Sequence, residues 1–542
     1  VARAHQSLWL IFLLTLTALA GCTSKPEVWH TERVLSGIPI HGMHGLAFGP
    51  DGGLYIGSVM GQSIIRVDTS TGTIREVIPA PVGEADDVAF SPDGSMAWTA
   101  LNQGVLRVRK PNGEIMTVAA GLPFVNPVTF APDGTLYAAT LFGPDRLWAY
   151  DLKAGTSRVV TENLGGLNAF EFGDDGALYT PLPQKQSIGK INADTGALTT
   201  IAENVGNVVA VKFHPDGFLY GVTWDDGQIV QVDTRTGTHK VIATLEPPLD
   251  NLAVSDAGQI YVTRSADNGL VVVNPIDGSN RVFIRSDLAA PGGMTWMKRN
   301  GKLQLLVTDI FGYRFVDPET GETEIIPFDL EGGASADAGH RDGRFALSYV
   351  RRNRVLLKDS ESNTTLQTWT NISTPYGVLI EPNGTVLVVS HNDGTLVRLN
   401  ANNPDQRQVI ANQLAGPVGL AWAEDGVSVY IVESESGEIT KATLKNGTRQ
   451  SIATDLDDPE SIALLPDGRL VVAEVGAHRV SAIDPNTGDK TVLAQDLAIG
   501  GRISRTPDRV GMPTGLAADI NGDVYVITDA ENGLLKLTQT PN

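Results

Sequence analysis

The chain of 542 residues holds a single cysteine, Cys22. A lone cysteine makes no internal disulfide, so oxidative stapling plays no part in this fold. Positive charge is scarce: 41 Lys and Arg stand against 62 Asp and Glu, for a net charge of −21. That balance argues against nucleic acid as a partner, because nucleic-acid binding needs basic stripes. Aromatic residues make up only 6%. The apolar run Leu8 to Ala20 is too short to cross a bilayer as a helix. No P-loop, zinc-finger spacing, G-x-S-x-G or H-E-x-x-H motif occurs.

What the chain has is glycine, 58 of them, and many recur in register. Pro50-Asp51-Gly52 is followed by Pro92-Asp93-Gly94, Pro132-Asp133-Gly134 and nine further turns of the same kind, ending at Asn521-Gly522. The gaps between these glycines are 42, 40, 42, 41, 41, 43, 42, 41, 42, 42 and 54. Pro presets φ, Asp or Asn bonds the local backbone and Gly supplies positive φ, so each triplet reads as a hairpin turn. Short β-branched or aromatic stretches follow the turns, among them Leu54-Tyr55-Ile56, Leu136-Tyr137-Ala138 and Val524-Tyr525-Val526. A second turn closes each unit, as in Asp68 to Gly72 and Asp484 to Gly488. Four strands per repeat of about 41 residues is the size of one propeller blade. The spacing predicts an all-β protein of twelve four-stranded blades.

Propellers usually close at four to eight blades, so two tandem six-bladed rings are expected, in preference to seven plus five. The twelfth repeat ends after its third strand, near Leu537, and an unpartnered strand-like segment, Val28 to Leu35, precedes the first. We expect Val28 to Leu35 to complete the sixth blade, and Arg281 to Arg285 to do the same for the second ring, since closure removes exposed strand edges. The first propeller then spans 28–280 and the second 281–542. The 54-residue gap places an insertion at Ala498 to Val510, read as an exposed loop.

Residues 1–21 read as a targeting segment: Arg3, the apolar run, then Leu19-Ala20-Gly21-Cys22. This ending resembles a bacterial lipobox. The resemblance implies cleavage before Cys22, acylation of Cys22, a tether over 22–27 and attachment to the cell envelope. Thr23 after the cysteine favours the outer membrane, facing the periplasm. Several acyl chains anchor far more firmly than one.

In a propeller the innermost strand of each blade lines the central channel. The residue eight before each turn glycine marks the start of that strand. In the first ring these are His44, Asp86, Asn126, Asn168, Val209 and Asp250. In the second they are Gly292, Ser335, Tyr376, Val418, Glu460 and Thr514, allowing one extra residue in repeat seven. The first ring has the denser polar cluster. Phe142, Trp224, Phe311 and Tyr313 add aromatic surface on the same face, suited to stacking on a sugar or to packing between blades.

The repeat pattern Gly45-Leu46-Ala47-Phe48, Leu54 to Ser58, then Ile65-Arg66-Val67-Asp68 resembles the gluconolactonase, regucalcin and luciferin-regenerating-enzyme-like propellers, relatives of NHL-repeat propellers. The resemblance implies a divalent cation, usually calcium, at the channel mouth. By position it implies metal ligands among Asp86, Asn126, Asn168 and Asp250, and His44 where the family carries Glu. No E-G-P motif occurs, and His is a poor calcium ligand. The implied chemistry is metal-assisted hydrolysis of a lactone or related ester, with His44 or Asp86 as the base.

Glu460 and Glu474 in the second ring, with Glu433 and His391, loosely resemble the blade pattern of virginiamycin B lyase-like proteins. Position 462 is Ile where that pattern has His. Exposed acids at strand ends are the ordinary state of such residues. The sequence therefore carries three readings: a lactonase-type hydrolase acting at the first ring, a non-catalytic scaffold binding a small molecule, a glycan or a protein, and a lyase in the second ring. In each, an acylated Cys22 holds the protein at the membrane.

Overall fold

The computed structural model describes residues 27–143, 145–310, 312–327, 337–501 and 511–540. The targeting segment, Cys22, most of the 498–510 insertion, Phe311 and Ser335 lie outside the described residues. Among the described residues no helix is long and apolar enough to cross a membrane.

Twelve four-stranded antiparallel sheets follow one another along the chain. The turn triplets join first to second strands as the turn chemistry predicts: Gly52 takes φ +72° between Met43–Phe48 and Leu54–Ser58. Inner strands of successive blades touch, and the inner strand of blade 1 meets that of blade 6, while blade 7 meets blade 12. These contacts close two rings of six.

Aromatic pairs seal four of the six blade junctions of the first ring among the described residues. A Tyr in the second strand of one blade meets a Phe at the end of the next blade's inner strand, edge to face. Tyr55 meets Phe90 (4.9 Å), Tyr137 meets Phe172 (5.0 Å) and Tyr179 meets Phe213 (5.0 Å). Tyr261 of blade 6 meets Phe48 of blade 1 at 5.4 Å, which closes the first ring. Tyr525 of blade 12 meets Trp296 of blade 7 at 5.2 Å, which closes the second. Such pairs favour T-shaped geometry because ring edges are positive and ring faces negative. The apolar core is accordingly a series of layers between blades, such as Ile64, Val88 and Trp98 between blades 1 and 2.

The strand exchange differs from the one expected. Blade 6 completes itself with Asn280–Ile284. The N-terminal strand Trp29–Leu35 bypasses the first ring and pairs with Gly533–Gln539, completing blade 12. The chain thus crosses between rings twice, at 36–42 and at 285–293. Asn268 and Asn532 lock the first crossing, both donating to the Ile40 carbonyl at 2.6 Å. At the second, Asp309 accepts from the Ala289 and Ala290 N–H groups (both 2.9 Å), and the fully buried Arg314 pairs with it at 3.4 Å.

The rings meet through the loops beside their channel mouths. Val59 and Met60 of blade 1 pack with Ala289, Ala290, Ile310 and Met512. His41 meets the Asp529 carbonyl at 2.6 Å, and Arg351 of blade 8 reaches Asn102 of blade 2 at 3.4 Å. The first ring's mouth therefore lies on the side that faces its neighbour.

Candidate active site

Three of the predicted first-ring residues converge. His44 Nδ1 lies 3.5 Å from Asp86 Oδ1 and 3.5 Å from Asp250 Oδ2. All three head inner strands, from blades 1, 2 and 6, which ring closure makes neighbours. Glycine permits the approach: Gly45 N donates to the Asp86 carbonyl at 2.6 Å, and a Cβ at Gly45 would sit 2.6 Å from that oxygen. Asp86 keeps 7% of its side-chain surface, His44 16% and Asp250 18%, so the cluster is sunk below the rim yet reachable by solvent.

The two carboxyls differ in environment. Burial, then the Asp250, Asp87 and Glu84 carboxylates, push Asp86 well above the ordinary range. Burial also raises Asp250, but His44 acts against the rise. Two close carboxyls resist ionising together, so a proton stays on the pair well above the usual carboxylate range, and its preferred seat is Asp86.

The sequence pattern missed Asp87, Asn251 and Lys212. Asp87 Oδ2 accepts from Val128 N–H (3.1 Å) of blade 3, and Oδ1 from Val88 N–H (3.0 Å) and Asn251 Nδ2 (3.3 Å) of blade 6. Burial pushes Asp87 up to about 6, with Lys212 pulling it back. The second ring repeats this latch. Asp337 accepts from Ala338 N–H at 2.8 Å and also from Val378 N–H, and a Cβ at Gly293 would meet its Oδ1, as one at Gly45 would meet Asp87. Gly45, Asp87 and Gly293 stand one residue past the mouth position and Asp337 two past it, so the repeat register carries this signal only when the shorter turn of blade 8 is allowed for.

Asn168 bonds its own strand through Ala169 N–H (2.9 Å), and Asn126 offers its backbone carbonyl to the Thr99 hydroxyl at 2.5 Å. Among the described residues no group of three or more His, Cys, Asp or Glu side chains is placed to hold a metal ion. The expected calcium set of Asp86, Asn126, Asn168 and Asp250 does not fit: the two carboxyls turn to an imidazole, Asn168 turns to its own strand, and calcium takes six to eight oxygens.

The second-ring candidates do not assemble. Glu433 accepts from Ala415 N–H at 2.6 Å and from the Thr440 hydroxyl at 2.5 Å. Glu474 has no exposure and holds Arg479 (2.7 Å) and Lys490 (3.2 Å). Burial opposes its ionisation, but Arg479, Ser481, Asp457 N–H and Lys490 outweigh it and bring the carboxyl to about 2. Asp309, Asp529 and Asp145 do the same work as these glutamates, capping the N–H groups of the connector before the inner strand. These acids are fastenings of the blade. Glu460 accepts from Thr514 N–H (2.7 Å), while His391 lies edge-on to Tyr376 and 3.8 Å from Glu435. Tyr313 packs between blades 7 and 8, against Phe345, rather than facing a ligand.

Residues 290–496 match the family model of the SMP-30/Gluconolactonase/LRE-like region. The matched segment lies in the second ring, whereas the acid–imidazole cluster lies in the first. No curated protein sequence matches the chain. The crystal structure of the Niastella koreensis GH74 enzyme is 10% identical, with 93% of this chain and 99% of that one covered and a TM-score of 0.52. Virginiamycin B lyase from Staphylococcus aureus, a catalytically inactive variant with quinupristin, is 16% identical over 54% of this chain and 98% of its own, with a TM-score of 0.39. A protein provisionally assigned as a gluconolactonase is 15% identical over 45% and 90%, with a TM-score of 0.36. The GH74 likeness extends over both rings and speaks for the fold alone. The chain is thus a tandem double propeller whose residues 290–496 are similar to the SMP-30/gluconolactonase/LRE-like region.

Proposed function

We propose that the first ring's channel mouth is a hydrolytic site for a lactone or related ester, on a protein held at the bacterial envelope by an acylated Cys22. The observation that supports this is one imidazole held between two carboxyls whose proton affinities are pushed apart. Such a pair supplies a base and an acid at one pH. Water attacks the ring carbonyl carbon and gives its proton to His44. The carbon–oxygen bond of the lactone breaks, and the departing alkoxide takes the proton of Asp86. A hydroxy acid leaves. The proton on His44 returns to Asp86 across the 3.5 Å between them, which resets the site. Asp250 holds the imidazole and stabilises its charged form. No step is routed through a cation.

The test is a lactone and ester screen on the soluble form, residues 23–542, beside His44→Gln and Asp86→Asn. Hydrolysis lost at least about a hundredfold in both variants, with folding intact, supports the reading. Turnover equal in all three proteins, or in none, sinks it. Adding calcium is expected to change neither rate nor melting temperature. Cys22→Ala should release the protein from membranes; a variant that stays membrane-bound would remove the anchor from this account.

A further inference from the structure

Phe124 places an exposed phenyl ring at the turn before the inner strand of blade 3. It holds φ at +56°, a region bulky L-residues rarely adopt, and is 50% exposed. Phe142, 52% exposed, meets it edge to face at 5.6 Å. Strand register sets their position. Val125 opens the inner strand of blade 3 opposite Thr140, the last residue of the second strand, so Phe124 and Phe142 flank the mouth end. The Leu141 N–H donates to the Phe124 carbonyl at 3.1 Å and ties the two segments together. Two residues further along the strand lies Asn126, at the same register as His44, Asp86 and Asp250. Phe124 also lines a groove of about 350 Å³ with Leu101, Asn102 and Leu122. Asn102 is the residue that Arg351 of the second ring reaches. The rim of the mouth therefore carries two exposed aromatic rings beside the inter-ring contact.

The positive φ itself belongs to the blade, since Gly42, Thr374, Gly416 and Asp458 adopt it just before the inner strands of blades 1, 9, 10 and 11; what is particular to blade 3 is that a half-exposed phenyl ring occupies this turn, beside a second one. The groove is of the size that takes part of a small molecule, and two half-exposed rings fall far short of a stable protein interface. Phenyl rings lack the polar handle of Trp or Tyr, so the occupant is apolar. We propose that Phe124 and Phe142 form a subsite for the alkyl or aryl arm of the substrate whose carbonyl is attacked beside His44. This rests on the hydrolytic reading of the mouth and names its substrate class as a lactone or ester with an apolar tail.

The experiment measures calorimetric binding of unreactive γ-lactams with alkyl tails of two to eight carbons, beside hydrolysis of the matching γ-lactones. The proteins are wild type, Phe124→Asn (which tolerates the positive φ) and Phe142→Ala. Wild-type affinity should rise about fourfold per methylene over the first few carbons, the equivalent of ~0.8 kcal/mol per buried CH2. Either variant should flatten that slope and leave the shortest lactam unaffected. A slope that persists in both variants, a flat wild-type series, or no binding at all overturns the subsite. So does wild-type binding to phosphatidylethanolamine vesicles without lactam binding, which would make the rings a membrane contact. A lactam slope that the variants flatten, without lactone turnover, keeps the subsite and refutes hydrolysis; turnover with no chain-length dependence does the reverse.

Discussion

Replacing Asp337 with Asn should make the protein more stable relative to wild type as pH rises. Asp337 lines the second ring's channel, between Gly293 and the inner strand of blade 9, among Met294, Val378 and Leu379. Burial pushes its carboxyl up to about 7, although N–H groups of Ala338 and Val378 favour the charged form. In the unfolded chain the group ionises near about 4. Between these values the unfolded state has lost a proton the folded state keeps, so stability falls as pH rises from about 4 to about 7 and is level above. At about 1.4 kcal/mol per pH unit, the loss between about pH 5 and about pH 8 has a ceiling of about 3 kcal/mol. Asp337 is partly exposed to channel water, so the realised value should be about half, ~1.5 kcal/mol. Asn loses one acceptor for Val378 N–H, a cost independent of pH, and the comparison across pH removes it. The assay is urea unfolding of both proteins at these two pH values. The variant's relative stability should improve by ~1.5 kcal/mol between the two. A difference that stays constant, or moves the other way, refutes the assignment of a proton-retaining carboxyl in the channel.

The topology makes a second prediction: residues 286–542 alone should lack a closed twelfth blade and resist folding, whereas the same segment with 27–35 joined after its last strand should fold, as read by far-UV circular dichroism and protease resistance. Tyr261→Ala should cost about 3–5 kcal/mol, because it empties a buried site and breaks the aromatic seal with Phe48; chemical unfolding measures it. Glu474→Gln should destabilise the protein above about pH 5 and much less near pH 2, because the folded carboxyl ionises near 2 with Arg479 and Lys490 beside it and its contribution is lost as pH falls; melting temperatures across that range test this.

The blade count was legible because each turn glycine fixes one register and every copy obeys it. The same register brought His44, Asp86 and Asp250 to one mouth, although they lie up to 206 positions apart, because inner strands of neighbouring blades start side by side. Ring closure was misplaced for a physical reason. A strand such as Trp29–Leu35 can pair with any open edge, and the sixth blade closes with its own Asn280–Ile284. The choice is made by distant groups, Asn268 and Asn532 gripping Ile40, that no local pattern connects. The second-ring glutamates misled for the opposite reason. Glu433 and Glu474 recur because each caps the connector before its own blade's inner strand, a structural repeat that imitates a ligand set. Asp87 was passed over beside Asp86, yet its bonds to blades 3 and 6 make it a fastening across the channel.

The central claim is that burial and the neighbouring carboxylates keep a proton on Asp86 well above the usual carboxylate range, and that this proton goes to the departing oxygen. The most direct test is the pH dependence of kcat for a lactone found in the screen, in wild type and Asp86→Asn. The account predicts a wild-type rate that falls as pH rises through the elevated ionisation of the Asp86–Asp250 pair, and an Asn variant that is slow at every pH, with that descending limb gone. A variant as fast as wild type, or one with the same descending limb, would contradict it.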